Sequence, residues 1–442
     1  MGRRSISLGL TVTALLAVPL CGCRPPAPRG TSVVVLVDFS RTFAPLGKAD
    51  ERALRVVSAA LAELANQSSP PVRFYWSRIE SQSVLSQGLC KPLRVEPKLI
   101  PSAGDLDKER LGKALKSCVE TIVRASADEA HRSAYTDISG ALAMADEQTR
   151  GETRERIFVI LSDFLEDLPG GAMPAEYRLD GVRVLLLHRP GLDDRKGSSV
   201  ESYRGRVARW AGKTRERGAG QVVAMPLTAS TRHRVTQGLI GPVRPSGTAV
   251  SVLVDSMYTS AAALKATVDA LSRLANGWDP PVTVIWSAVD ESGLFAQSMS
   301  PVEFEPHLVK TAGLLSTKEE FAALLEECAE AMAHRRAHER KSDAWADISG
   351  AIALQQDGTA FEAERILVVL SDFRDPGALS VALAASRVVL IATPSAVEGR
   401  DQLGYLRRLN RWEQMLRSKG AETVCRTQLR NLTADALVDC LR

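Results

Sequence analysis

After residue 23 the chain holds no apolar run near the roughly 20 residues a bilayer-spanning helix requires. It also lacks a P-loop, a G-x-G-x-x-G turn and a G-x-S-x-G elbow, so the common phosphate cradles and the serine-hydrolase nucleophile have no basis in the sequence. Net charge is slight, +4 from 56 basic and 52 acidic side chains, and such a balance indicates no polyanionic partner, nucleic acid included. Histidine is scarce, and only His334 and His338 take the i, i+4 spacing of a helical chelate. Between them Arg335, Arg336 and Ala337 offer no glutamate of the metalloprotease kind, so a solvated helix face is expected there. With 45% hydrophobic and 24% charged residues, the composition is globular and excludes a disordered, collagen-like or coiled-coil chain.

What the sequence does have begins at its N-terminus. Arg3 and Arg4 precede an apolar run from Leu8 to Leu20, too short to span comfortably and of the length of a secretory h-region. The run ends in Leu20-Cys21-Gly22-Cys23, which resembles the lipobox of bacterial lipoproteins. The resemblance implies a signal peptide over 1–23, acylation of Cys23 as the new N-terminus and a Pro-rich tether over 24–30. Several acyl chains on one residue anchor stably, so the mature protein is expected in the cell envelope, lipid-anchored to a membrane. Arg24 in place of an aspartate implies the outer membrane, facing the periplasm, and the Arg3-Arg4 pair hints at twin-arginine export.

The rest of the chain is written twice. VVVLVDFSRT at Val33 returns as VSVLVDSMYT at Val250, PPVRFYWS at Pro70 as PPVTVIWS at Pro280, YTDISGALA at Tyr135 as WADISGAIA at Trp345, and ERIFVILSDF at Glu155 as ERILVVLSDF at Glu364. Order and spacing are both kept: Tyr203, Trp210 and Ala219 correspond to Tyr405, Trp412 and Ala421. Two homologous domains follow, over 31–240 and 248–442, joined by GPVRPSG at 241–247, whose glycines and prolines break helix and strand alike. In each copy, continuous apolar runs such as VVVLV, IFVIL and VRVLLL alternate with helical periods such as Leu54, Val57, Leu61 and Leu64. Runs without alternation are buried on both faces. An α/β architecture is therefore expected: two Rossmann-like open sheets, mostly parallel, with helices on both faces. Ligands of such sheets bind beyond the carboxyl ends of the strands, where strand order reverses.

Strand ends are where the polar residues gather. Asp38, Ser40 and Thr42 follow the first strand as D-x-S-x-T, Thr136 precedes the helix beginning ISGALAM, and Asp163 follows IFVILS. Any one of these residue types suits a turn or a helix start. Together, on three loops, they resemble the metal-ion-dependent adhesion site of von Willebrand factor type A domains, with Thr42 in place of a final serine. The resemblance covers nearly all of the mature chain, once per half. It implies one Mg²⁺ (or Mn²⁺) ion in the first domain, with Ser40, Thr42 and Thr136 as direct ligands and Asp38 and Asp163 acting largely through water. An Asp or Glu of a partner protein would complete the octahedron. Hydroxyl and carboxylate oxygens are hard donors that favour these ions over zinc.

In the second copy Asp255, Thr259 and Asp372 remain, but Met257 replaces the middle serine and Ala346 the threonine. That site is expected to be degenerate, with the fold kept and tight Mg²⁺ binding lost. The expected function is protein binding rather than catalysis. The rival is a Mg²⁺-dependent phosphatase of the haloacid dehalogenase type, which also ends its first strand in an aspartate, but Ser40 stands where that family needs a second carboxyl as general acid. A metal-free structural envelope protein is the other alternative. Export permits disulfides. Cys118 has a counterpart in Cys328 whereas Cys90 has Met299, and Cys425 and Cys440 flank the last strand and helix. The favoured pairs are Cys90 with Cys118 and Cys425 with Cys440, leaving Cys328 as a buried thiol.

Overall fold

The structure is a computed structural model describing residues 30–441, apart from 44, 69–70, 84–87, 96–103, 152–154, 169–174, 192–198, 228–229, 242–244, 256–259, 290–296, 299–301, 305–313, 316–317, 340–345, 360–361, 375–376, 385, 393–401 and 429–431. Cys23, Met257 and Thr259 thus lie outside the described residues. In the first half the chain runs β1 (Thr31–Asp38), α1 (Lys48–Gln67), β2 (Val72–Ile79), β3 (Leu93–Val95), α2 (Gly104–Ala127), α3 (Ile138–Thr149), β4 (Glu155–Ser162), β5 (Arg183–His188), α4 (Val200–Glu216), β6 (Gln221–Pro226) and α5 (Arg232–Ile240). The second half repeats the theme with β7 (Thr248–Asp255), α6 (Ala261–Leu274), β8 (Val282–Val289), β9 (Gln297–Ser298), β10 (Val302–Phe304), β11 (Leu314–Leu315), α7 (Lys318–Glu339), α8 (Ile348–Gly358), β12 (Glu364–Ser371), β13 (Ser386–Ala392), α9 (Gln402–Ser418), β14 (Thr423–Gln428) and α10 (Ala434–Leu441).

The first sheet has the order β3-β2-β1-β4-β5-β6 and the second β11-β10-β8-β7-β12-β13-β14, with β9 alongside β8. All pairings from β2 to β6, and from β8 to β14, are parallel; β3 on β2, and β9 and β10 on β8, run antiparallel at one edge. Every residue of β1 and of β7 is buried, which is why their β-branched runs carry no polar alternation. Each of these strands starts from a glycine in the left-handed region, Gly30 (φ 91°) and Gly247 (φ 76°). A β-carbon there would strike the carbonyl of Pro71 or Pro281 at 2.1 or 2.3 Å, so both positions need glycine for closeness as well as for φ.

Helices cover both faces. In the first half α1, α2 and α5 close one face over Val33, Val35, Val37, Ile157 and Val159, and in the second half α6, α7 and α10 do the same over Val250, Val252 and Val368. The opposite faces, under α3 and α4 and under α8 and α9, belong to a single cluster that runs from Val34 and Phe158 in one half to Leu253 and Leu367 in the other. The halves are therefore docked through a shared core. At their junction Arg204 of α4 grips Asp357 of α8 with two hydrogen bonds of 2.6 and 2.8 Å. Arg234 of α5 pairs with Glu362 at 2.5 Å, both side chains essentially without exposure. Among the described residues no helix is long and apolar enough to cross a membrane.

Both disulfides expected from the cysteine positions are present, Cys90 with Cys118 and Cys425 with Cys440. Cys328 is free and buried, and burial pushes its thiol up to about 11, that of an inert core sulfur.

Candidate metal centre

β1 and β4 lie side by side in the first sheet, with β2 beyond one and β5 beyond the other. Strand order reverses between them, which leaves a crevice at their carboxyl ends. Asp38 closes β1, Ser162 closes β4, and Asp163 is the next residue. Thr136 stands two residues ahead of α3, whose start is capped by Asp137 accepting from Gly140 N at 2.7 Å. The loop carrying Thr136 is stitched to both neighbours by main-chain bonds. On one side Arg41 N donates to Ser133 O and Ser133 N to Phe39 O, each at 2.9 Å; on the other, Thr136 and Asp167 exchange bonds of 2.9 and 3.0 Å. Three loops are thus held against one another by backbone.

Asp38, Ser40, Thr136 and Asp163 are all buried, at 0, 1, 2 and 1% exposure, and Thr42 is half-buried. Asp38 accepts from Ser40 N at 2.8 Å through one oxygen and from Ser162 Oγ at 2.6 Å through the other. Ser40 Oγ and Thr42 Oγ1 are 3.0 Å apart, close enough to act as neighbouring donors on one ion. The Asp163 carboxylate accepts from Leu165 N at 2.9 Å. A β-carbon at Gly191, just after β5, would meet Asp163 Oδ2 at 2.2 Å and the Thr42 carbonyl at 3.2 Å. Glycine there lets a fourth loop close over the carboxylate and beside the Thr42 backbone. Burial, and after it the charge of Asp163, push Asp38 up to about 7. Two carboxylates so placed repel each other with little water to screen them, and a divalent cation removes that cost.

The donor chemistry fits such a cation. Among the described residues no group of three or more His, Cys, Asp and Glu side chains is placed to hold a metal, so any ion here depends on hydroxyls. The carboxylates of Asp38 and Asp163, the adjacent hydroxyls of Ser40 and Thr42, and Thr136 on the loop bonded alongside offer hard oxygens of the kind suited to Mg²⁺ or Mn²⁺.

Several residues that shape the crevice were not singled out by their sequence context. Ser162 Oγ accepts from Phe164 N at 2.8 Å while donating to Asp38, which fixes the direction of its proton. Phe164 sits at φ 59°, a conformation costly for a bulky residue. It is held there because Trp210 Nε1 donates to its carbonyl at 3.0 Å and Arg206 Nε to the Asp163 carbonyl at 3.0 Å. Lys213 bridges Ser139 Oγ and Glu166 on the same side. The signal for this turn was the repetition of Leu-Ser-Asp-Phe at 161–164 and 370–373, together with the paired tryptophans.

The second half reproduces the turn. Asp255 accepts from Ser371 Oγ at 2.7 Å, Phe373 N donates to Ser371 Oγ at 3.0 Å, Phe373 has φ 59°, and Trp412 Nε1 donates to its carbonyl at 3.2 Å. Asp347 caps α8 from the same position as Asp137. Ala346, in the position of Thr136, is buried and has no side-chain oxygen to offer, and Asp372 is half-buried.

No family model matches the chain, and no curated protein matches it. Among solved structures, two crystal structures of proximal thread matrix protein 1 from the mussel byssus align with 94% of this chain over 96% of theirs, at 11 and 10% identity and TM-scores of 0.27 and 0.26. Scores that low lend nothing to the reading of the site. The α/β class rests on the two mostly parallel, helix-covered sheets, an architecture that fits a fold like that of von Willebrand factor type A domains.

Proposed function

We propose that this chain is a binding protein whose first half holds Mg²⁺ (or Mn²⁺) at the carboxyl end of its sheet and uses the ion to capture an Asp or Glu side chain of a partner protein. Ser40, Thr42 and Thr136 supply direct ligands, while Asp38 and Asp163 supply the negative charge that retains the ion. Because its direct ligands are neutral hydroxyls and the carboxylates act largely through water, the bound ion has no anion in direct contact, which is what draws an outside carboxylate. The observation that carries the reading is the burial of two carboxylates together with hydroxyls on three main-chain-stitched loops. The enclosure of Asp38, with each oxygen accepting a hydrogen bond, supports a role in holding an ion over attack on a phosphorus. The second half serves as scaffold and interface through the shared core. Cys23 and its lipobox-like context support a lipid-anchored protein of the cell envelope.

Calorimetry of Mg²⁺ with the mature chain tests the ion. One site is expected, and Thr136→Ala is expected to weaken it by at least the 10- to 100-fold range seen when metal-site partners are removed, with the circular dichroism unchanged. Capture from an envelope extract with Mg²⁺ and with EDTA tests the partner. Identical proteins retained in both conditions, and by Thr136→Ala, defeat the metal-dependent mechanism.

A further inference from the structure

The two strand-end turns differ most plainly at the residue after the repeated phenylalanine, where Leu165 in the first half becomes Arg374 in the second. The main chain does the same thing in both: Leu165 N donates to Asp163 Oδ1 at 2.9 Å and Arg374 N to Asp372 Oδ1 at 3.1 Å. The side chains do not. Arg374 folds back over its own turn and brings Nε to 3.2 Å from Asp372 Oδ2, the other oxygen of the same carboxylate. Burial, and after it the charge of Asp255, raise the Asp372 carboxyl, and Arg374 together with Arg408 of α9, the counterpart of Arg206, offsets part of that rise. Asp372, beside Asp255, therefore has two guanidinium groups near it. Their counterparts Asp38 and Asp163 have an apolar leucine in place of Arg374, and Arg206 there donates through Nε to the main-chain carbonyl of Asp163.

We propose that Arg374 is the resident counter-ion of the second half: its guanidinium supplies the positive charge that a divalent cation supplies in the first, and so excludes such a cation from the Asp255–Asp372 turn. A guanidinium is permanently charged and forks onto carboxylate oxygens, so it stabilises paired carboxylates without the hydroxyl ligands that Met257 and Ala346 no longer provide. The loss of hydroxyls and the gain of the arginine are then one coherent change. The second half keeps its turn under conditions that strip metal from the first. The inference rests on the reading of the first half only in assuming that this carboxylate pair accepts an ion when hydroxyls accompany it.

Mn²⁺ counted by electron paramagnetic resonance on the full mature chain tests it. The wild type is expected to bind one ion. Met257→Ser with Ala346→Thr, which restores the hydroxyls but keeps Arg374, is expected to stay at one; adding Arg374→Leu, the residue of the first half, is expected to give two. With the hydroxyls restored, Arg374→Lys is expected to hold the count at one and Arg374→Met to raise it to two, which separates charge from bulk. In EDTA the Arg374→Leu triple variant is expected to unfold at a lower temperature than the double variant, and Mn²⁺ to restore the difference. A second ion bound while Arg374 is present overturns the proposal, as does a folded triple variant with no additional ion. A wild-type count of zero defeats the reading of the first half, while the difference between double and triple variants still decides the role of Arg374.

Discussion

The two halves build one turn from the same parts and balance it differently. In each, a strand-end aspartate is clamped by a serine hydroxyl from the neighbouring strand, a phenylalanine is held at φ 59°, and an indole N–H secures the phenylalanine carbonyl. The difference begins at the residues around the carboxylates. In the first half the carboxylates lie deeper, hydroxyls accompany them and a leucine follows; in the second a methionine and an alanine stand in place of two hydroxyls and an arginine follows. Buried like charges have to be compensated by something, and on our proposal the duplicated fold does so in two ways on one scaffold. Geometry of the turn is thus separable from what surrounds it, since Ser162 and Ser371 make the same hydrogen bonds beside a leucine in one half and an arginine in the other.

The strongest way to break the comparison is to ask whether the halves are independent. Their shared core and the Arg234–Glu362 pair say they are not. Removing one member of a buried pair leaves an uncompensated charge and costs about 3–5 kcal/mol. Glu362→Ala is therefore expected to produce the largest loss of unfolding free energy of any change considered, by chemical denaturation of the whole chain, and to lower the cooperativity between the halves. The double variant Arg234→Met, Glu362→Met is expected to recover much of that loss. If Glu362→Ala leaves the denaturation curve unmoved, the halves are merely tethered and each turn has to be judged alone.

A titration sharpens the contrast at the first turn. The folded value of Asp38, about 7, lies above that of an unfolded aspartate. Between the two values the folded chain holds a proton that the unfolded chain has released, so without metal this group makes stability fall as pH rises from about 4 to about 7. His188 acts in the opposite sense over lower pH: burial, and then Arg204, drop it to about 3, so it favours the folded chain increasingly as pH rises toward the ordinary histidine value. The readout is consequently the difference between wild type and Asp38→Asn in EDTA. The variant is expected to be the more stable at pH 8, by an amount of the order of a few kcal/mol, and the gap to close by pH 4. Mg²⁺ is expected to stabilise the wild type more at pH 8 than at pH 5 and the variant at neither. A gap independent of pH rules out an elevated Asp38.

Much of this was legible in the sequence because the repeat supplied its own control. Continuous apolar runs such as Val33–Val37 and Ile157–Leu161 announced strands buried on both faces, and the glycines and prolines marked the breaks. The cysteine pairs followed from comparing the copies. Asp38, Ser40, Thr42, Thr136 and Asp163 stood out as candidates because polar residues at strand ends in an α/β sheet lie along one edge. Less visible were residues whose roles depend on distance in space: Gly191 matters only because the loop after β5 folds onto Asp163, and nothing in its neighbourhood along the chain says so. Ser162 reads as the last residue of a strand until its hydroxyl is seen to face Asp38 from the neighbouring strand. Arg374 reads as an exposed loop arginine, since only the backward fold of its side chain reveals the pairing with Asp372. The docking of the halves through α4 and α8 was likewise hidden, because Ala353 and Leu253 look like residues of a self-contained core.

The smallest effect bears most directly on the separation of geometry from ionic partner. Ser162→Ala and Ser371→Ala each remove a buried hydroxyl that donates to an aspartate and accepts from the phenylalanine N–H two residues on. Leaving those partners unsatisfied costs about 1–3 kcal/mol, and because the two turns share their geometry the two losses are expected to agree within about 0.5 kcal/mol in EDTA. With Mg²⁺ they are expected to part: Ser162→Ala lets the Asp38 carboxylate swing and loses affinity for the ion, whereas Ser371→Ala leaves ion binding at the wild-type value. Unequal losses in EDTA mean that the turns are not the same machine, and equal weakening of Mg²⁺ binding by both variants places the ion's support in the shared core instead of at the first turn.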